Sequence, residues 1–270
     1  MNNYYEICIP AETALQELLV AELAEMGYDG FEESAEQLKA YVPEMNYAEK
    51  ELNNLLNKYK LSYSKSIINK QNWNQLWESN FEPVRVDDFV GIRASFHPPF
   101  AGVAHEIVIT PKMSFGTGHH ATTWQVMKLM QELDFAGKRV FDFGTGTGIL
   151  AILAEQLGAA AVLAVDNDDW CIENTSENIL VNNCKVIDIQ KVDSLKLDQQ
   201  FDIVLANINR NIILEYSKEL AAALVTEGQL LLSGLLVEDE GIIRETFVGL
   251  GLTYRKTTER NGWIALWFSR

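Results

Sequence analysis

The spacing of apolar positions changes along the chain, and the changes mark out two regions. Residues 4–9 read as a short strand. From Ala11, Leu15, Leu18, Leu19, Leu23 and Met26 fall at helical spacing, and Gly27 supplies a stop. Two strand-like stretches follow, 28–32 and 37–42, ended by Pro43. Leu52, Leu55, Leu56 and Tyr59 then recur every three or four residues, a second helix for which Asn46 can act as the cap. Residues 61–68 return to a strand. The order strand, helix, strand, strand, helix, strand predicts a ferredoxin-like α+β domain over residues 1–70, a topology that says little about function by itself.

Residues 71–82 read as a connector helix, on which Trp73 and Trp77, four apart, share a face and serve packing. Beyond it, residues 83–270 form the second region. Short strands are expected over 84–86, 89–95 and 106–110. After Pro111 strands (139–143, 161–165, 186–191, 201–208, 229–233) alternate with helices (149–157, 170–182 and about 212–224). This alternation predicts a parallel sheet wrapped by helices on both faces. The end differs: residues 253–257, the turn Arg260-Asn261-Gly262 and residues 263–268 signal a hairpin, which requires an antiparallel strand at the end of the sheet. Trp263 and Trp267 in that hairpin are expected in the core.

Composition narrows the partners. The 270 residues carry a formal net charge of −16, so contact with nucleic-acid phosphates is disfavoured, and the acidity reads either as solubility alone or as fitting a basic partner. Residues 1–38 hold nine Asp or Glu and no Lys or Arg. Three widely spaced cysteines, Cys8, Cys171 and Cys184, argue for a reducing compartment and against a disulfide or zinc framework. No apolar run approaches the ~20 residues that span a bilayer, and the N-terminus shows no secretory signal. A cytoplasmic protein without membrane contact, acting as a monomer, is the expectation.

The chemistry centres on Val140-Phe141-Asp142-Phe143-Gly144-Thr145-Gly146-Thr147-Gly148-Ile149-Leu150: a strand, a glycine turn and a helix start, as in nucleotide-type cofactor sites. Asp142 at the strand end can hold a cationic amino-acid group. Asp166 ends the next strand, where an acid can accept from both hydroxyls of a ribose. Leu205-Ala206-Asn207-Ile208-Asn209 brings polar groups to the same edge. A nicotinamide dinucleotide fits less well: its fingerprint spaces the third glycine one residue further, and Asp142 would face the pyrophosphate dianion. A sulfonium cofactor with an amino-acid tail fits better. Asp193 either accepts from an adenine amino group or is a solvated turn residue. His119-His120 lacks partners at metal-ligand spacing, so no metal is expected and a loop or cap role is.

The glycine block resembles the first motif of class I S-adenosylmethionine-dependent methyltransferases, whose seven-stranded Rossmann-like sheet has one antiparallel strand. A second block, Met113-Ser114-Phe115-Gly116-Thr117-Gly118-His119-His120-Ala121-Thr122-Thr123, is similar to the F-G-T-G-x-H-x-T-T block of the bacterial ribosomal protein L11 methyltransferases. Asn207-Ile208 and Ser233-Gly234-Leu235 extend the resemblance over roughly residues 70–268. It implies trimethylation of lysine side chains and the N-terminal amine of that ribosomal protein in its free form, with the N-terminal domain recognising it. It implies cofactor contacts at Thr123, Gly144, Asp166 and Asn207, beside Asp142 and Gly146 of the turn itself. His119 and Ala121 depart from the Thr and Pro of the block. Asn209-Arg210 replaces small residues and alters the wall nearest the incoming amine. Gly116, Thr117 and Gly118 suit a lid or a plain turn.

Methyl transfer from a sulfonium is an in-line displacement that needs positioning more than an activated nucleophile. A free lysine, pKa about 10.4, is neutral in only about one molecule in a few thousand at pH 7. Asn207 is no base, but its amide oxygen, with the Ile208 carbonyl, can align the neutral amine and compensate the charge developing on nitrogen. Isoleucine after this Asn offers no stacking platform for a planar base, which favours an aliphatic amine, although Phe115 or Phe96 can stack from another loop. An RNA or small-molecule amine substrate on the same sheet is the alternative.

Overall fold

The structure, a computed structural model, describes residues 4–28, 30–34, 36–68, 81–111, 118–195, 197 and 199–270. The chain divides into two compact units, Met1–Leu76 and Trp77–Arg270. The expected connector helix, with Trp73 and Trp77, lies outside the described residues.

In the first unit β1 (Tyr4–Pro10), α1 (Thr13–Glu25), β2 (Gly30–Glu33), β3 (Gln37–Pro43), α2 (Glu49–Lys58) and β4 (Ser64–Ile68) follow one another. The sheet order is β2-β3-β1-β4, and each neighbouring pair is antiparallel. Alternation sorts the residues: Ile7, Ile9, Leu38, Ala40 and Val42 point to the core with Leu19, Leu23, Leu52 and Leu56. Their strand neighbours hold a polar network. Glu6 accepts from the hydroxyls of Tyr41 (3.1 Å) and Ser66 (3.2 Å) and pairs with Lys39 at 3.5 Å. Asn46 does not cap α2. It ends a 3₁₀ turn, Glu44–Asn46, and the helix starts after Ala48 with no side-chain cap.

The second unit opens with a three-stranded sheet, β5 (Val84–Val86), β6 (Val90–Ala94) and β7 (His105–Ile109), in that order. Then come α3 (Ala121–Met130), β8 (Arg139–Phe143), α4 (Ile149–Gln156), β9 (Ala161–Asp166), α5 (Asp169–Val181), β10 (Ile187–Lys191) and β11 (Phe201–Asn207). They are followed by α6 (Arg210–Glu215), α7 (Ser217–Ala222), β12 (Leu224–Leu236), α8 (Glu240–Gly249), β13 (Thr253–Arg260) and β14 (Trp263–Ser269). The seven-stranded sheet runs β10-β9-β8-β11-β12-β14-β13. Strands β10 to β12 are parallel neighbours, and β14 is antiparallel to both of its partners. The sheet is buried on both faces: Val140, Leu205 and Leu231 enter one core, Phe141, Val204 and Leu232 the other.

Two expectations need correction. The antiparallel strand is not at the margin: β14 inserts between β12 and β13, because the hairpin folds back and pairs its second strand, Trp267 against Leu231. The helix expected over about 212–224 is two, α6 and α7, parted at Tyr216, and Leu224 already belongs to β12. No helix among the described residues is long and apolar enough to cross a membrane.

Candidate functional site

The parallel strands β8, β9 and β11 end at one edge, where the sequence places its glycine turn, Asp166 and Asn207. Gly144, Gly146 and Gly148 have φ of 76°, 58° and 78°, the left-handed region that favours glycine. At Gly144 an added Cβ would lie 2.3 Å from Ile208 Cγ2. The bare turn therefore lets the segment after β11 close against it. The Gly144 and Thr145 amides donate to the Val165 carbonyl at 2.9 and 3.0 Å, which fastens the turn to the end of β9. Gly146 donates to Asp166 Oδ2 at 2.9 Å, and Asp168 N to its Oδ1 at 3.1 Å. A carboxylate has about four acceptor sites, so Asp166 braces the turn and retains capacity for hydroxyl donors.

A cavity of about 670 Å³ opens at this edge. Gly144, Gly146, Asp166 and Asn207 are in its wall, joined by Asp193 after β10. The other two candidates stand behind the wall. Thr123 is fully buried on α3, where its hydroxyl accepts from Asn207 Nδ2 at 3.2 Å. In this orientation of the amide, Asn207 Oδ1 is buried and has no hydrogen-bond partner. Asp142 is 1% exposed. Thr145 Oγ1 donates to its Oδ2 at 2.6 Å, while Oδ1 makes no hydrogen bond of normal geometry. Burial raises this carboxyl to about 7, against the opposing pull of the Thr145 hydroxyl, and the Asp166 charge adds to the rise. Asp142 thus secures the turn from within and does not face the cavity.

His120 of the block and the departures His119, Asn209 and Arg210 have structural roles. His120 caps α3, its Nδ1 accepting from Thr122 N at 3.4 Å and lying 2.8 Å from Thr122 Oγ1, and His119 Nε2 lies 2.9 Å from the Glu82 carbonyl. Asn209 is in the cavity wall and caps α6 by accepting from Ile212 N. Arg210 is not in the wall; it pairs with the buried Asp239 at 2.9 Å. The Phe115 block up to Thr117 lies outside the described residues. Cys171 is in the wall, but burial, then the charges of Asp166 and Asp168, push its thiol up to about 12, so it is no nucleophile.

Sequence reasoning missed two features. Trp263, expected in the core, is half-buried in the cavity wall, its ring 4.6 Å from that of His120. The wall therefore has aromatic surface although residue 208 is isoleucine. Trp267 does pack on the core, its Nε1 donating to Gln229. The second is a ladder of amides on α5. Asn178 Nδ2 donates to the Thr147 carbonyl (2.8 Å) and its Oδ1 accepts from Thr110 N (2.8 Å). Asn182 and Asn174 bond the backbone of Val108 and Thr110 in the same way. Thr175 Oγ1 donates to the Gly146 carbonyl at 2.8 Å. The signal was present in the sequence as Asn at every fourth position of a helix.

The sheet order, the glycine turn after β8 and the acid ending β9 define a class I methyltransferase, whose cofactor is S-adenosylmethionine. The residues present fit that group. A Cβ-free turn offers close backbone approach, Asp166 stands at the cavity with unused lone pairs, and Asn207 presents an orphaned buried oxygen.

Comparison with known proteins gives the family. The family model described as "Ribosomal protein L11 methyltransferase (PrmA)" matches residues 7–270. The ribosomal protein L11 methyltransferase of Porphyromonas gingivalis is 44% identical over 266 residues, covering 96% of this chain and 91% of that protein. That of Phocaeicola vulgatus is 35% identical over 267 residues, covering 96% and 95%. The crystal structure of a ribosomal protein L11 methylase from Lactobacillus delbrueckii subsp. bulgaricus superimposes with a TM-score of 0.66 at 29% identity, covering 70% of this chain and 99% of that one. The chain belongs to the ribosomal protein L11 methyltransferase family.

Proposed function

We propose that the protein transfers methyl groups from S-adenosylmethionine to amino groups of ribosomal protein L11, on lysine side chains and the N-terminal amine, through to the trimethyl state. Bound in the cavity, the cofactor supplies an electrophilic methyl on a sulfonium. The observation that carries the reading is the orphaned Asn207 Oδ1, held by Thr123 at the end of β11. A buried acceptor without a donor costs about 1–3 kcal/mol, and the N–H of an incoming neutral amine relieves it. The same contact turns the nitrogen lone pair toward the methyl and compensates the positive charge that develops. No group in the wall is assigned as base; the proton leaves to water. Thr123, Gly144, Gly146 and Asp166 serve the cofactor in this account, and Asp142 supports them from behind the turn.

The wall includes Asp166, Asp193 and Glu215 and no Lys or Arg among the described residues. Such a lining suits a cationic cofactor and a lysine, and it disfavours the alternative of an RNA substrate. The first unit, with the acidic stretch of residues 1–38, recognises the basic substrate in its free form before ribosome assembly. The protein acts as a monomer in the cytoplasm. Reversing the charge of Glu22, Glu25, Glu32 and Glu33 together is expected to weaken binding of free L11. Unchanged affinity in a variant that retains its circular dichroism spectrum would remove the docking idea. The function is tested by incubating the protein with labelled S-adenosylmethionine and an unmethylated ribosomal protein fraction. Label is expected in L11, and label in RNA or in no protein overturns the reading.

A further inference from the structure

The cavity wall that holds Asn207 also holds an aromatic side chain, Trp263, that the methyl-transfer account leaves unused. Trp263 opens β14, paired with Leu236 at the end of β12. Its backbone is fixed: the Trp263 carbonyl accepts from Gln125 Nε2 at 3.0 Å, and Gln125, 1% exposed, accepts in turn from Thr258 at 3.0 Å. Its ring meets that of His120 in an edge-to-face contact with an interplanar angle of 73°. His120 caps the helix that carries Thr123, the partner of Asn207. Trp263, His120 and Asn207 therefore share one wall, built from three elements that are bonded to one another.

We propose that Trp263 is the substrate-binding residue for methylated ammonium, holding the cationic product nitrogen by cation–π attraction and so favouring successive methylation of one amine. In each round the nitrogen lone pair forms the new N–C bond, the C–S bond breaks, and its electron pair stays on sulfur. The nitrogen is left cationic. After the first and second rounds it returns to nucleophilic form by losing a proton to water. After the third it is a quaternary ammonium that has no N–H and cannot bond Asn207. As methyls replace hydrogens, hydrogen bonding to Asn207 Oδ1 declines, and the indole quadrupole attracts the softer, less hydrated cation. Asn207 thus serves the unmethylated amine and Trp263 its methylated forms.

The proposal rests on the amine-methylation reading, and its test separates the two. Trp263 is replaced site-specifically by mono-, di- and trifluorinated tryptophan, which keeps the ring shape while draining its negative face. Trp263→Phe and Trp263→Leu complete the set. Each protein is given unmethylated L11 and S-adenosylmethionine, and the ratio of trimethyl to monomethyl product is read by mass spectrometry beside the calorimetric affinity for the cofactor. The ratio is expected to fall progressively with fluorination, by roughly 2- to 30-fold across the series, the span that cation–π strengths imply. Trp263→Phe should fall between wild type and Trp263→Leu, with cofactor affinity unchanged throughout. A ratio indifferent to fluorination overturns the role of Trp263 and leaves amine methylation standing. A wild-type protein that methylates no amine of L11 overturns both.

Discussion

The two units bury polar side chains in different ways. Among the described residues of the first, Gln16 and the Tyr28 hydroxyl are the buried side-chain polar groups. Gln16 closes a loop by donating to the carbonyls of Ala11 (2.6 Å) and Ser34 (2.8 Å). In the second unit Asp142, Thr145, Thr147, Thr175 and Asn178 are buried on or against the glycine turn, and Thr123 and Asn207 are buried beside it at the end of β11. Burying polar groups costs free energy unless each is bonded. The first unit buries few such groups and leaves Gln16 Oε1 and the Tyr28 hydroxyl unpartnered inside its own core, whereas the second gathers many at one sheet edge and leaves Asp142 Oδ1 and Asn207 Oδ1 unpartnered there. What sets the second unit apart is the density of buried polar groups beside a cavity, the arrangement a ligand site needs.

Substitutions can break this contrast, and the largest effect is expected at Gly234. There an alanine Cβ would lie 2.2 Å from the Ile208 carbonyl oxygen, at φ of 84°. The left-handed conformation alone costs about 1–2 kcal/mol, and a backbone clash adds to it by pushing Asn207-Ile208 off the turn. Gly234→Ala should abolish turnover, measured with labelled cofactor, even where circular dichroism shows a folded protein. Next comes a matched pair. Asn178→Leu orphans the Thr147 carbonyl and Thr110 amide, and Gln16→Leu orphans two carbonyls. At about 1–3 kcal/mol per buried group, Asn178→Leu loses roughly 2–6 kcal/mol in denaturant unfolding and Gln16→Leu about half of that, because Ser34 is exposed and water can reach its carbonyl. Only Asn178→Leu should also weaken cofactor binding in calorimetry.

The pH dependence of the two units has opposite sign. Asp142 has its carboxyl raised from 3.8 to about 7, chiefly by burial. The folded state then holds a proton that the unfolded chain has released, so this group's stabilisation is complete below about pH 4 and is lost as pH rises to about 7. Relative to Asp142→Asn, the wild-type protein should lose about 4 kcal/mol over that range. For Glu6, burial pushes the carboxyl up, but the Tyr41 and Ser66 hydroxyls and the Lys39 charge together hold it below its ordinary value. Its contribution is present above the usual carboxylate range and is lost as pH falls. Stability curves of Asp142→Asn and Glu6→Gln against wild type check both signs. Asp166→Ala should cost roughly 1.5–3 kcal/mol of cofactor affinity per charge-assisted bond lost; unchanged calorimetric affinity would remove Asp166 from the site.

Much of the architecture was legible because strands and helices write different periods into the chain. Val140-Phe141, Val204-Leu205 and Leu231-Leu232 are apolar on both faces, as buried parallel strands must be, and the glycine turn and Asp166 follow from spacing along one βαβ unit. What failed depends on packing and on hydrogen bonds, some far along the chain and some within a turn, that spacing alone does not rank. The placement of β14 inside the sheet is a pairing choice between two strands of one hairpin, which alternation does not rank. Trp263 has the same spacing to Trp267 whether it faces a core or a cavity. Asp142 looks from the sequence like a ligand-facing carboxylate. Its burial is set by Thr145, three residues on, folding back over it. Asn46 lies close enough to α2 to cap it, yet the 3₁₀ turn takes it first.

The measurement that tests the central claim most directly is the intact mass of purified, unmethylated L11 incubated with S-adenosylmethionine and either the wild-type protein or Asn207→Ala. With the wild type, L11 should gain mass in methyl increments that end at trimethylated lysine and N-terminal nitrogens. At saturating cofactor, Asn207→Ala should transfer far more slowly. No gain in mass with the wild type, or equal rates from the two proteins, would contradict the account.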